Sequence, residues 1–257
     1  MQFDNQVAII TGSGRGIGRS LALEMARAGA KVIINDLDEE VANLVVEEIK
    51  KDGGEALAVI GSVAERETAE QLVKKAVQQY GTVNILVNNA AVTRPAMIDK
   101  MTDEQWDLVV DVGMKGVFNC IRAVAPIFKE RGKQNPDALS NGKIINITSV
   151  AGLTGSIGQI NYSAAKAGVV GMTMSTAREW GKYRIQSNAV AFGIVETRMT
   201  EIIRTEKFED VYKNKIVLNR FALTDDVVPG IMFLSSPGAN YITGHVLNIS
   251  GGYHIGV

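Results

Sequence analysis

Seven short apolar runs recur along the chain, near residues 6–10, 31–35, 56–60, 83–87, 143–147, 185–191 and 245–249. Between most of them lie stretches with apolar residues at helical spacing, and Ile17, Leu21, Ala22, Met25 and Ala28 form the clearest set. Strands alternating with helices predict an α/β fold, a doubly wound, Rossmann-like parallel sheet of about seven strands with helices on both faces. Right-handed crossovers then place a ligand at the carboxyl ends of the strands. Gly12, Asp36, Asn89, Ser149 and Gly193 all fall at or just after the ends of such runs, which gathers them in one cleft. There is no internal repeat and no linker rich in Pro, Gly and Ser, so residues 1–257 read as a single domain.

One helix is expected over about 103–131. Thr102 and Gln105 fit a capping box at its start. Trp106, Val109, Val110, Val117, Ile121, Val124 and Phe128 give it an apolar stripe broader than one core face needs. Residues 131–142, with Pro136, read as a polar surface loop.

Candidate chemistry starts at Thr11-Gly12-Ser13-Gly14-Arg15-Gly16-Ile17-Gly18, a glycine-rich turn between a strand and a helix. Glycine permits a tight turn and lets backbone N–H groups approach a pyrophosphate at a helix N-terminus. The spacing is T-G-x-x-x-G-x-G, which does not fit the common G-x-G-x-x-G fingerprint. Asp36 ends the second apolar run, eighteen residues after Gly18. An acid there can accept hydrogen bonds from ribose hydroxyls and repel a 2′-phosphate, which favours NAD over NADP. The run Asp36-Leu37-Asp38-Glu39-Glu40 also contains a helix cap, and different acids can serve the two purposes. Arg15 argues faintly the other way, since an arginine in the loop could face a phosphate.

Tyr162 and Lys166 stand four residues apart, and Ser149 lies thirteen residues before the tyrosine. On a helix the pair shares one face. A nearby ammonium favours the phenolate and lowers a tyrosine pKa that is ordinarily near 10. The two side chains together are a proton-transfer pair.

Composition narrows the class. Hydrophobic residues make up 46% of the chain and the net charge is −1, which excludes disorder and a polyanion-binding surface. No basic stripe with interleaved aromatics appears, so no nucleic-acid partner is expected. No apolar run reaches 18 residues, and the opening Met1-Gln2-Phe3-Asp4-Asn5 is unlike a secretory leader, so neither membrane nor export is expected. Cys120 is the only cysteine, reads as a core residue, and fits a reducing cytoplasm. His245 and His254 lack companions at ligand spacing, so no metal site is expected. No G-x-S-x-G elbow supports a serine hydrolase.

These motifs together resemble the short-chain dehydrogenase/reductase family along essentially the whole chain. The glycine motif is Thr11 to Gly18, the family's N-N-A-G segment is Asn88-Asn89-Ala90-Ala91, its strand-end serine is Ser149, and its Y-x-x-x-K is Tyr162 and Lys166. Gly158-Gln159-Ile160-Asn161-Tyr162, Glu196-Thr197-Arg198-Met199-Thr200 and Tyr241-Ile242-Thr243-Gly244 look like the 3-oxoacyl-(acyl carrier protein) reductase branch. The resemblance implies an oxidoreductase that moves a hydride between NAD(H) and a 3-oxoacyl or 3-hydroxyacyl thioester or a similar secondary alcohol. It implies Ser149, Tyr162 and Lys166 as the catalytic set. Gly12, Ser13, Arg15, Gly16, Ile17 and Gly18 would meet the pyrophosphate. Asp36 and Leu37 would meet the adenosine ribose, Ser62 and Val63 the adenine, and Asn89 and Ala90 the adjoining ribose. Val195 and Thr197 would hold the carboxamide, and 198–218 would cover the substrate. Pairing through the 103–131 and Tyr162 helices implies a homodimer or homotetramer.

Four positions depart from the family pattern. Gly113 stands where a relay asparagine is usual, Phe192 precedes Gly193 where proline is usual, Ala91 replaces a glycine, and Ser62 replaces an acid or amide. A water could fill the place of the missing asparagine side chain. Two alternatives stay open. One is a sugar, polyol or steroid dehydrogenase on the same scaffold, and the other is a catalytically weakened, cofactor-binding subunit of a mixed oligomer.

Overall fold

The computed structural model describes residues 1–206 and 208–256. Seven strands form one parallel sheet: β1 (Val7–Thr11), β2 (Lys31–Asp36), β3 (Glu55–Ile60), β4 (Ile85–Asn88), β5 (Gly142–Ser149), β6 (Ile185–Phe192) and β7 (Val246–Ile249). Their order is β3-β2-β1-β4-β5-β6-β7, so the direction of winding reverses between β1 and β4. A crevice opens at such a switch point, outside the strand carboxyl ends. The doubly wound expectation holds.

Successive strand residues point to opposite faces. One set, including Ala8, Ile10, Val32, Ile34, Ile145 and Ile147, packs under α1 (Gly16–Arg27), α2 (Glu39–Lys51) and α9 (Thr224–Ser235). The alternate set, Val7, Ile9, Ile33, Leu86 and Ile144, packs under α3 (Arg66–Tyr80), α5 (Gly116–Gln134) and α7 (Ile160–Trp180). Burial on both faces is why these strands read as near-continuous apolar runs.

The helix expected over 103–131 has a different form. It starts at the predicted box, with Gln105 N donating to Thr102 Oγ1 and Thr102 N to Gln105 Oε1. It runs as α4 (Asp103–Val110), then a π-turn over Asp111–Lys115, then α5 to Gln134. The wider turn is centred on Gly113, which is buried and packs toward Ala165 of α7. Val109, Val117, Ile121, Val124 and Phe128 of the stripe are buried, while Trp106 stays 38% exposed. Arg131, the boundary between the expected helix and loop, lies inside α5, which runs on to Gln134. Its guanidinium donates to Asn141 O, Val83 O and Thr82 Oγ1, so the chain after the helix is fixed to the base of the sheet. A short helix, α6 (Val150–Thr154), follows β5, and α8 (Glu209–Lys213) lies within 198–218.

Candidate active site

The glycine loop is held from behind by polar side chains. Thr11 Oγ1, at the end of β1, accepts from the N–H groups of Asn89 and Ala90, both at 3.0 Å. Asn89 Nδ2 donates to Thr11 O and Gly12 O at 2.9 Å, so its amide is spent on the loop. Gly12 has φ 61°, and a Cβ there would come within 2.8 Å of Ala90 Cα. A Cβ at Gly18 would press on Asn89 Nδ2 and on the Gly12 carbonyl. Ser13 is buried, with its hydroxyl donating to Ile10 O and its N–H to Asn35 O. The loop therefore presents backbone, and Ser13 tethers it. No side chain caps the start of α1 and no acid lies in its first turn. Its unmet N–H groups and positive dipole end suit a pyrophosphate. Ile17 rests on the first core.

Asp36 turns toward this loop. Its Oδ2 accepts from Gly14 N at 3.0 Å and its Oδ1 from Asp38 N at 3.2 Å. The helix cap falls to Asp38, which accepts from Val41 N at the start of α2. The cap is therefore Asp38's, and Asp36 is held against the glycine loop. Arg15 is exposed and ion-paired with Asp38, so its guanidinium already has an anionic partner. Leu37 is exposed beside them. On the next strand end, Ser62 Oγ accepts from Ala64 N, and buried Val63 packs on Gly116. Asn119 of α5 donates to both Val63 O and Ala64 O at 3.0 Å. Sequence reading missed Asn119, whose only signal is an amide in an apolar helix.

Ser149 ends β5 opposite Phe192 of β6, and its hydroxyl accepts from Ala151 N to cap α6. Tyr162 and Lys166 lie on α7, one turn apart. The helix is pinned by Thr148 Oγ1, which donates to Lys166 O at 2.7 Å, and by Gly152, which lies directly on the Lys166 backbone. Asn161, fully buried, fixes its start. Its Nδ2 donates to Arg94 O and Gln105 O, and its Oδ1 accepts from Tyr162 N at 2.8 Å. No motif argument singled out that positioning role.

The electrostatics differ from expectation. Lys166 is buried, its Nζ donates to Ile147 O at 2.7 Å, and it sits 5.6 Å from the Tyr162 ring centroid. Burial pushes Tyr162 above its ordinary value, while the Ser149 hydroxyl pulls it the other way. Burial also lowers Lys166 to about 8. The expected lowering of the phenol by Lys166 is therefore absent in this arrangement, because desolvation outweighs a cation committed to a carbonyl.

Val195 and Thr197 follow β6. Val195 is buried and pairs with Ala222, and the Thr197 methyl faces the glycine loop, 3.3 Å from where a Gly16 Cβ would lie. The structure thus places the predicted set along the carboxyl ends of the parallel strands, about the switch point between β1 and β4. Cys120 is buried away from it in the second core, its thiol pushed up to about 12. No helix among the described residues is long and apolar enough to cross a membrane, and those residues hold no cluster of three His, Cys, Asp or Glu that could bind a metal.

Comparison with known proteins bears on this site. The 3-oxoacyl-[acyl-carrier-protein] reductase of Staphylococcus epidermidis is 40% identical over 253 residues, covering 98% of this chain and 100% of the relative. The enzyme of the same name from Thermotoga maritima is also 40% identical, over 98% and 99%. A gluconate 5-dehydrogenase from Burkholderia cenocepacia, solved with NADP and tartrate, superimposes with a TM-score of 0.91 at 32% identity, over 98% of this chain and 96% of that one. The family model described as enoyl-(acyl carrier protein) reductase matches residues 12–254. The glycine crevice, the strand-end serine and the Tyr162–Lys166 helix accordingly identify the chain as a member of the short-chain dehydrogenase/reductase family, a nicotinamide-dinucleotide-dependent oxidoreductase acting on CH–OH and C=O groups.

Proposed function

We propose that the protein is an NAD(H)-dependent reductase or dehydrogenase of 3-oxoacyl or 3-hydroxyacyl thioesters. The carrying observation is the exposed apolar surface on the segment that links Ser149 to Tyr162. Leu153 and Ile157 are exposed in the chain between Ser149 and Tyr162, Ile157 by 91%, and the exposed pair Met97 and Ile98 follows Ala96, whose N–H donates to Gly158 O. Apolar side chains left open beside a catalytic serine suit an acyl chain better than a polyol. The 40% identity to 3-oxoacyl-[acyl-carrier-protein] reductases supports the same class.

A dinucleotide fits the residues present. The Gly12 and Gly18 positions are closed to any side chain, and the start of α1 is free of acids, so the loop offers bare N–H groups to a pyrophosphate. Gly12, Ser13, Arg15, Gly16, Ile17 and Gly18 form that cradle. Asp36 and Leu37 flank the adenosine ribose, Ser62 and Val63 the adenine, and Asn89 and Ala90 the adjoining ribose. Val195 and Thr197 hold the carboxamide. When bound, the dinucleotide supplies the hydride carrier. The chain supplies the rest. Ser149 donates a hydrogen bond to the reacting oxygen. Tyr162 gives that oxygen a proton in reduction and takes it back in oxidation. Lys166 binds the ribose and offers positive charge to the phenolate. Segment 198–218 covers the substrate, and the exposed faces of α4, α5 and α7 pair copies into a homodimer or homotetramer.

Two tests decide this reading. Turnover of acyl thioesters should exceed turnover of polyols, and the reverse would favour the second reading, which the gluconate 5-dehydrogenase likeness supports. NAD(H) should outperform NADP(H), with Asp36→Ala narrowing or reversing the preference. A higher kcat/KM with NADP(H) in the native chain would refute the cofactor assignment.

A further inference from the structure

We propose that Asn119 is a positioning residue for the adenine end of the dinucleotide, fixing the turn after β3 against α5 and through it the dinucleotide affinity. The inference rests on the function proposed above, in which Ser62 and Val63 flank the adenine. Asn119 lies on α5, which buries Val117, Cys120, Ile121 and Val124 around the same position. The amide is itself only 3% exposed. A buried amide is costly unless its hydrogen bonds are made.

Both of its hydrogens are spent on the turn. Nδ2 donates to Val63 O and to Ala64 O, each at 3.0 Å. Oδ1 accepts from Arg122 Nη2 at 3.1 Å. A guanidinium has donors only, so that contact decides which way round the amide lies. Turned over, Nδ2 would face a donor and Oδ1 would face two carbonyl oxygens. Arg122 is held in its turn over the Phe118 ring, 4.8 Å from the centroid. One helix therefore presents a pair of N–H groups in a single orientation.

The turn has other bonds, and they do different work. Ser62 closes it, accepting from Glu65 N at its carbonyl and from Ala64 N at its hydroxyl. Its start is tied to β2, with Gly61 N donating to Asp36 O at 3.1 Å and Asn35 Nδ2 to Gly61 O at 3.0 Å. Against α5, two features hold Val63 and Ala64. The Val63 side chain packs on Gly116, where a Cβ would come within 2.5 Å of it. That packing sets a distance. The Asn119 amide sets a direction as well, because it turns two successive carbonyls to one side. A turn released from the amide samples other arrangements, and affinity falls with the fraction of time the binding shape is lost. In the proposed binding mode the chemistry lies at the other end of the dinucleotide, by Ser149 and Tyr162, so the chemical step is spared.

The test compares NADH with ADP-ribose, which keeps the adenine end and lacks the nicotinamide. Calorimetric affinities for both are measured beside steady-state kinetics and thermal unfolding. Asn119→Asp keeps the size and the Arg122 bond but has no hydrogen for either carbonyl. It should raise both Kd values by a common factor, on the order of tenfold, as buried acceptors are left unmet. Turnover at saturating NADH should stay within about threefold of native. Arg122→Met frees the amide to turn over and should raise both Kd values by about threefold. It lies on the exposed side of α5 and carries the test should Asn119→Asp fail to fold. An ADP-ribose affinity unchanged in these variants overturns the inference, even where the unfolding temperature drops, since that is the mark of a purely structural amide. A fall in kcat that matches the fall in affinity overturns it too. Failure of the native chain to bind either dinucleotide would instead overturn the proposed function.

Discussion

Lys166→Met exchanges a buried ammonium for a side chain of similar length with no charge to desolvate. Burial lowers Lys166 from 10.5 to about 8 in the folded chain. At about 1.4 kcal/mol per pH unit, that is a folding penalty of about 3 kcal/mol wherever both states hold the proton. Methionine removes the penalty but leaves Ile147 O without its donor, a loss of about 1–2 kcal/mol. The net gain at pH 7 is about 1–2 kcal/mol, or roughly 2–8 °C in Tm for a chain of this size. The sign follows from the order of the two pKa values. Between about 8 and 10.5 the unfolded chain keeps a proton that the folded chain has released, so native stability rises with pH across that window. Below 8 the full penalty applies. By pH 9.5 roughly 2 kcal/mol of it has gone, and the native and variant curves meet or cross. The window stops short of pH 10, because buried Tyr162 then acts in the opposite sense. The assay is calorimetric unfolding from pH 6.5 to 9.5 at one protein concentration, without dinucleotide. Lys143 provides an internal control. Its Nζ is buried without an acceptor, and burial lowers it to about 8. Lys143→Met should show the same pH signature with activity intact, whereas Lys166→Met loses activity. A Lys166→Met variant less stable at pH 7, or a gap that ignores pH, would refute the reasoning.

Tyr162→Phe keeps the ring and removes the acid, so turnover should fall by ~10²–10⁴ with dinucleotide affinity retained; normal turnover in this variant would sink the proton-transfer assignment. Gly113→Asn has room, since a Cβ there meets only Ala165 Cβ at 3.5 Å. Helix propensity favours the change by a few tenths of a kcal/mol, so thermal unfolding should show equal or greater stability, with activity altered by less than about tenfold. A large loss at unchanged stability would mean that the glycine makes room for something essential.

Much of this arrangement is legible before the fold. The seven strands are found within a few residues because buried parallel strands are apolar on both faces, and their ends point to Gly12, Asp36, Asn89, Ser149 and Gly193 without further information. Other features depend on partners distant in sequence. Asn119 and Asn161 look like stray amides until α5 meets the Val63 carbonyl and α7 meets the Arg94 and Gln105 carbonyls. Ser13 and Asn89 read as ligand contacts, yet their side chains hold the loop that would make the contact. The π-turn is equally silent, because Gly113 in an apolar helix signals a small residue and gives no sign of an extra residue in the turn.

Tyr162 shows most clearly why spacing alone falls short. The i,i+4 pattern brings a cation near a phenol and so suggests a lowered pKa. The fold buries both groups, and burial favours the uncharged form of each, raising the phenol and lowering the ammonium. It also gives the Lys166 ammonium another acceptor, Ile147 O. In the unliganded protein the proton therefore rests on Tyr162 well past neutral pH, which prepares the group to donate to a carbonyl oxygen. For Tyr162 to act as a base, Lys166 must be drawn from Ile147 O toward the phenol, and in the binding mode proposed above a ribose hydroxyl would do so. The phenolate absorbance of the native chain minus that of Tyr162→Phe should thus titrate above pH 10 without dinucleotide, and at lower pH once dinucleotide is bound. An unliganded midpoint below 10 would show that Lys166 already outweighs burial. A midpoint unmoved by dinucleotide would show that the lysine is not the link between ribose and proton.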